Sequence, residues 1–284
     1  FRLSEERGLN PDMVVSIAKE LGWLNLEVRV GFSADMAARN ALIAKAAAKT
    51  KDHNEVFEMG DISTTNLDFY EDTSAIEFQA EVLACIPLTN DMISGLTFSG
   101  EVESIPSYAV VTDRTLFYPE GGGQLGDQGR FLQDKKEIKV LDTKSQGGII
   151  LHFTEHFLAP GMVQGILDRD RRKQLMNHHT AVHIVGGAAR NILGPHVWQA
   201  GSNKGARYAR LDITHHSRLT RQEIEAIEDL ANNIVESNLK IKKEVLERSE
   251  ADRKYGFDIY QGGPPKHNRI RVVSIGDFDV QACG

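Results

Sequence analysis

Two histidines four apart, His179 and His183, and a cysteine about a hundred residues later, Cys283, are the side chains of this 284-residue sequence best suited to chemistry. On a helix, residues four apart share a face, so both imidazoles can turn toward one metal ion. Taken alone the spacing is weak, because two incidental polar histidines on a helix give the same pattern. His178 dilutes it further, although it points about 100° away. The zinc-peptidase reading fails at once: its general-base glutamate must directly follow the first histidine, and Thr180 stands there. Cys283 strengthens a metal reading, since two imidazoles and a thiolate form part of a normal zinc set. Its bland alternative is a small buried apolar residue in Val280-Gln281-Ala282-Cys283.

A second kind of signal is the run from Thr115 to Gln124, with Gly121, Gly122 and Gly123 in succession. Three glycines permit positive φ and let a ligand approach the backbone closely. Gln124 follows them with an amide that both donates and accepts. The plainer alternative is a glycine-rich turn with no ligand. It is not a phosphate loop of the usual kind, because no Lys-Ser/Thr follows the glycines. Glu120 could accept a proton but reads more simply as a turn residue. Basic residues cluster at Arg169, Arg171, Arg172 and Lys173, and again at Lys204, Arg207 and Arg210. Such clusters are mostly solvated faces, but beside an active site they become candidate contacts to an RNA backbone.

Several elements must position these groups. Asn10-Pro11 opens a helix that Gly22 stops, and Ser33 caps an alanine-rich helix through about Lys49. From Ser74 the period changes: Ile76, Phe78, Ala80, Val82 and Ala84 alternate with mostly polar neighbours, as on a half-buried strand. Similar runs recur at 108–111, 138–141, 149–153 and 162–167, which suggests a small antiparallel barrel. The helical pattern resumes with Asp170 as the expected N-cap and ends at Gly194-Pro195. The capping box Thr220-Arg221-Gln222-Glu223 opens another helix. Short strands are expected at 239–242 and 270–275. The reading is an α+β chain in three parts: a helical segment over 1–70, a β-barrel over 71–168, and an α+β core over 169–284.

Length suits more than one core. The composition, 41% hydrophobic and 26% charged, is that of a globular protein, and no apolar run is long enough to span a membrane. Two cysteines are too few for a disulfide framework, which favours a reducing compartment. Net charge is −7, but residues 1–100 carry 8 Lys/Arg against 16 Asp/Glu, and the rest is close to balanced. A nucleic acid would have to be met by local basic patches rather than by the whole field. The chain opens on Phe1-Arg2-Leu3 without a Met or a signal pattern, so the simplest expectation is a fragment.

In combination and in this order, three motifs resemble the editing region of alanyl-tRNA synthetase: 113–124 (Asp-Arg-Thr-Leu-Phe-Tyr-Pro-Glu-Gly-Gly-Gly-Gln), His179-xxx-His183, and Gln281-Ala282-Cys283-Gly284. Phe1-Arg2-Leu3-Ser4-Glu5-Glu6-Arg7-Gly8 resembles the end of the tRNA-recognition part that precedes it, and Arg210-Leu211-Asp212-Ile213 after Gly201-Ser202 also fits. The resemblance covers essentially the whole chain and is closer to archaeal than to bacterial synthetases. It implies a translation-factor-like barrel joined to a core like the editing domain of threonyl-tRNA synthetase. It implies Zn2+ on His179, His183 and Cys283, with a fourth ligand, a histidine in Cys-x-x-x-His, that this sequence does not reach. The chemistry implied is hydrolysis of serine or glycine mischarged on alanine tRNA. Gln124 would contact the aminoacyl group as the catalytic candidate. Gly121, Gly122, Gly123, Arg172, Lys204 and Arg207 would bind substrate. The ligase activity, with its ATP and Mg2+, would belong to a domain absent here, as would the sequence through which the parent forms a homodimer. The expected setting is the cytoplasm. The alternatives are a free-standing alanyl-tRNA editing deacylase, against which residues 1–70 argue, and a non-catalytic tRNA-binding module.

Overall fold

The computed structural model describes residues 18–22, 57, 62–98, 101–257, 259–260 and 268–283. Most of the helical segment expected over 1–70 lies outside them. Ala18–Glu20 are helical and turn at Gly22, as expected. The described end of that segment is not α-helical: β1 (Asn66–Leu67) leads into a 3-10 turn at Asp68–Tyr70. The described residues fall into two compact units, one of 57–179 with 203–209 and one of 18–22, 180–202 and 210–283.

In the first unit, alternation does what the sequence pattern requires. β2 (Glu77–Pro87) buries Ala80 and Val82 and exposes the residues between them. It is followed by β3 (Tyr108–Thr112), β4 (Arg114–Thr115), β5 (Gly129–Gln133), β6 (Lys136–Gln146), β7 (Ile149–Thr154) and β8 (Gly161–Leu167). β4 pairs in parallel with β1. The other six close a barrel in the order β2-β3-β7-β6-β5-β8, every pair antiparallel. Closure leaves no edge to pair with another chain. β5 escaped the sequence reading because Gly129-Arg130-Phe131-Leu132-Gln133 lacks alternation.

Phe117, Phe131, Val110, Val140, Leu158 and Val163 belong to the apolar cluster that holds the barrel together. β3 and β7 are buried on both faces, so Ala109, Val111, Ile149, Leu151 and Phe153 form a second cluster. Phe57 and α1 (Asn90–Gly95), through Met92, pack against that cluster. His152 is a fully buried polar side chain of β7, with its ring edge-on to Phe117 and Phe131. Its Nδ1 donates to the Val110 carbonyl and its Nε2 accepts from Thr115 Oγ1.

Long helix α2 (Arg169–Leu193) begins two residues earlier than the sequence suggested. Asp168, not Asp170, is its cap: Asp168 Oδ1 accepts from the Arg171 N–H at 3.0 Å. β9 (Gln199–Lys204) and β10 (Ala209–Ile213) form a two-stranded sheet. In the second unit, α3 (Arg221–Glu236) carries both bonds of the expected capping box. β11 (Ile241–Glu247), β12 (Arg269–Ile275) and β13 (Asp279–Ala282) form an antiparallel sheet, with α4 (Arg248–Tyr255) following β11. Ile184, Ala188 and Ala189 of α2, Ile227 and Ala231 of α3, and Ile275 make one core. Ala251, Ile259, Tyr260, Ile270 and Val272 make the other, and Val280 and Ala282 pack against it. Among the described residues no helix is long and apolar enough to cross a membrane.

Candidate metal centre

The glycine run folds as a tight reversal. Gly121 and Gln124 exchange both backbone hydrogen bonds, at 3.0 and 2.9 Å, and Gly122 and Gly123 between them have φ of 56° and 77°. Two central residues at positive φ define the hairpin turn that only glycine and a few polar residues enter cheaply. Lys204 runs beside the turn: its N–H donates to the Gly123 carbonyl at 2.7 Å and its carbonyl accepts from the Leu125 N–H. Its buried ammonium also donates to the Gly122 carbonyl.

The turn delivers Gln124, only 4% exposed, to the helix. Gln124 Oε1 accepts from His179 Nδ1 at 2.8 Å. An amide oxygen cannot donate, so the proton sits on Nδ1 and the His179 lone pair is on Nε2.

The second unit repeats the device with different residues. His183 Nδ1 donates to Gln281 Oε1 at 2.7 Å, and Gln281 Nε2 donates to Asp279 Oδ2 at 2.5 Å. Alternation along β13 explains the set: Val280 and Ala282 face the apolar core, so Asp279, Gln281 and then Cys283 share the opposite face. Burial pushes the Asp279 carboxyl up to about 6, against the opposing pull of Arg190. Helix α2 approaches this segment closely at Gly187, where an added Cβ would stand 2.9 Å from the Phe278 ring. Cys283 is fixed by its N–H donating to the Arg271 carbonyl at 2.9 Å. The ligand atoms of His183 and Cys283 lie within 4.8 Å of each other. His179 stands one turn earlier on the same face of the continuous helix.

The basic residues divide differently from expectation. Arg172 is buried, with Nε donating to Asp127 Oδ2 at 2.7 Å and Nη2 to the Leu116 carbonyl and the same carboxylate. A buried charge must be paired, and this guanidinium is spent on tying α2 to the stretch after the glycine turn. The structure thus gives Arg172 and Lys204 a different role from the phosphate contacts expected of them. Arg207 is exposed. Two further residues went unremarked in the sequence. Glu101 accepts from Arg171 and from the Ala206 N–H, and Asp279 fixes Gln281. Its spacing of two from Gln281 and four from Cys283, which puts all three on one face of a strand, was the available signal for Asp279; Glu101 offered none.

Residues 1–169 match the family described as tRNA synthetases class II (A). The chain belongs to this class II tRNA synthetase family. Over the whole chain it is 39% identical to the alanine–tRNA ligase of Haloquadratum walsbyi, covering 29% of that protein. It is 41% identical to that of Pyrococcus furiosus over 99% of the chain, and 38% identical to that of Metallosphaera sedula over all of it. These alignments cover 28% and 30% of the two relatives, so the chain spans less than a third of the proteins it matches. The resemblance to archaeal alanyl-tRNA synthetases is therefore shown along the full sequence.

Proposed function

We propose that this chain carries an aminoacyl-tRNA editing site, which hydrolyses the ester joining a wrong amino acid, serine or glycine, to the 3′ end of alanine tRNA. In this reading His179, His183 and Cys283 hold a zinc ion. The observation that supports it most is the matched pair of hydrogen bonds from the two histidine Nδ1 atoms to buried glutamine oxygens. Metal-bound histidines are commonly oriented in this way by their other nitrogen. Two Nε2 lone pairs on one helix face and a thiol fit a borderline-soft cation. Zinc there would supply Lewis acidity, whether to activate water or to seat the aminoacyl end.

This chain's own residues do the rest. Gln124 and Gln281 orient the two rings, and the glycine turn offers backbone unscreened by side chains to an incoming aminoacyl group. Exposed Arg207 is the phosphate contact of this proposal. The six-stranded barrel corresponds to the translation-factor type, and the second unit to an editing core of the threonyl-tRNA synthetase kind. An editing site answers a physical shortfall. One methylene distinguishes substrates by only about 1–3 kcal/mol, so an alanine pocket rejects glycine poorly and serine imperfectly. A site that hydrogen-bonds the seryl hydroxyl passes alanine by, because alanine would leave its polar groups unpaired.

The test is to incubate zinc-loaded protein with seryl- and alanyl-charged alanine tRNA and follow loss of each ester. Selective loss of the seryl ester, abolished by His183→Ala, is the expected result. Equal survival of both esters, in this chain and in one extended along the synthetase sequence, overturns the editing assignment.

A further inference from the structure

A second group of imidazoles lies wholly within the second unit and plays no part in the proposed editing chemistry. His196 precedes β9, and His215 and His216 follow β10; one ligand nitrogen from each lies within 4.8 Å of the other two. His196 Nε2 and His215 Nδ1 are 2.9 Å apart, sharing one proton. Their rings stack at 5.1 Å, and His216 lies 4.4 Å from His215 and 5.4 Å from His196 between ring centroids.

We propose that His196, His215 and His216 form a second binding site, for a divalent transition-metal ion of imidazole preference such as Zn2+, Ni2+ or Co2+. Two nitrogens on one tetrahedral zinc, each at about 2.0–2.1 Å, stand roughly 3.3 Å apart, so the pair is already close to its bound spacing. An imidazole trio is the donor set of a three-coordinate protein site with a position open to water.

The two segments that carry the rings are locked together. Thr214 N–H donates to the Trp198 carbonyl, Trp198 N–H donates to Thr214 Oγ1, and that hydroxyl donates to the His196 carbonyl, each at 2.9 Å. Val197 and Ile213, next to these residues, pack against the same apolar cluster. The ligands therefore lose little freedom on binding a metal. His216 is exposed and gives the ion its path from solvent. Glu223, held by Thr220 at the start of α3, places a carboxylate whose charge acts on both His215 and His216 and favours a bound cation. Burial, then the neighbouring His216, holds the His196 and His215 rings below the ordinary imidazole range. A bound metal ion would displace the one proton that His196 Nε2 and His215 Nδ1 share.

The experiment uses the whole chain carrying His183→Ala and Cys283→Ser, which removes the first centre. Calorimetric titration with Ni2+ should then still show one equivalent bound. His216→Ala, a change at an exposed position, should weaken that binding by roughly tenfold or more. His215→Ala should do the same, with near-ultraviolet circular dichroism checking that the fold is retained. No Ni2+ binding in the His183/Cys283 double variant, or binding that both histidine substitutions leave unchanged, overturns the proposal. With Co2+, a thiolate charge-transfer band reports the Cys283 centre alone, so failure of one site cannot be mistaken for failure of the other.

Discussion

Gln281 carries more of the candidate centre than its uncharged side chain suggests. Its oxygen fixes the His183 tautomer and its nitrogen is held by a buried carboxylate. Gln281→Leu keeps much of the volume and removes both bonds. We expect it to lower zinc affinity by roughly 10–100-fold, measured by competition with a chromophoric chelator, with circular dichroism unchanged. Unchanged affinity would mean that the hydrogen bond is incidental. His152 offers a test of different chemistry. Desolvation pulls its pKa from 6.5 down to about 4 in the folded barrel. The unfolded chain therefore binds a proton between those values that the folded chain refuses. Stability from the neutral ring is fully present above pH 6.5 and is lost as pH falls toward 4, by roughly 3 kcal/mol. Urea unfolding across that window should show this slope in the wild type and a flatter one in His152→Gln. Parallel slopes would show that the buried ring does not govern acid sensitivity.

At the scale of the element, the glycine turn and the capped helices behave as local chemistry dictates. Gly123 sits at φ 77°, a conformation that costs a side-chain-bearing residue about 1–2 kcal/mol. Gly123→Ala should lower the urea midpoint correspondingly, and because the Gly123 carbonyl receives the Lys204 N–H, the ester hydrolysis proposed for this site should fall along with stability. A variant as stable as the parent would show that the turn relaxes. The α3 cap was fully legible, since Thr220 and Glu223 form both reciprocal bonds from residues three apart. The α2 cap was misplaced by two residues, because Asp168 and Asp170 are equally good by type and only the helix's actual path chooses between them. β5 and β13 were missed for a related reason: one lacks alternation, and the other is a four-residue strand whose polar face, Asp279 and Gln281, is buried opposite its apolar one.

At the scale of the whole molecule, a metal that binds only the folded state must stabilise it. Zinc at about a hundred times its dissociation constant contributes roughly 2.7 kcal/mol, so its addition should raise the melting temperature and a chelator should lower it. Absence of any shift would count against both imidazole sites.

The sequence by itself determined the period of the strands, the α3 cap, the glycines the turn needs and the identity of the metal-type side chains, because each depends on residues within a few positions of one another. It also sufficed to assign the family, since ordered motifs along one chain need no coordinates. Only the tertiary structure decided which partners those side chains meet. It set Gln281 on His183 across 98 residues, buried Arg172 on Asp127 across 45, and drew His196 to His215 across 19. Such pairings are fixed by which strand faces which helix, and therefore by the burial of the cores behind them. Residue type gives a group its chemistry, but the packing of apolar residues elsewhere chooses its neighbour.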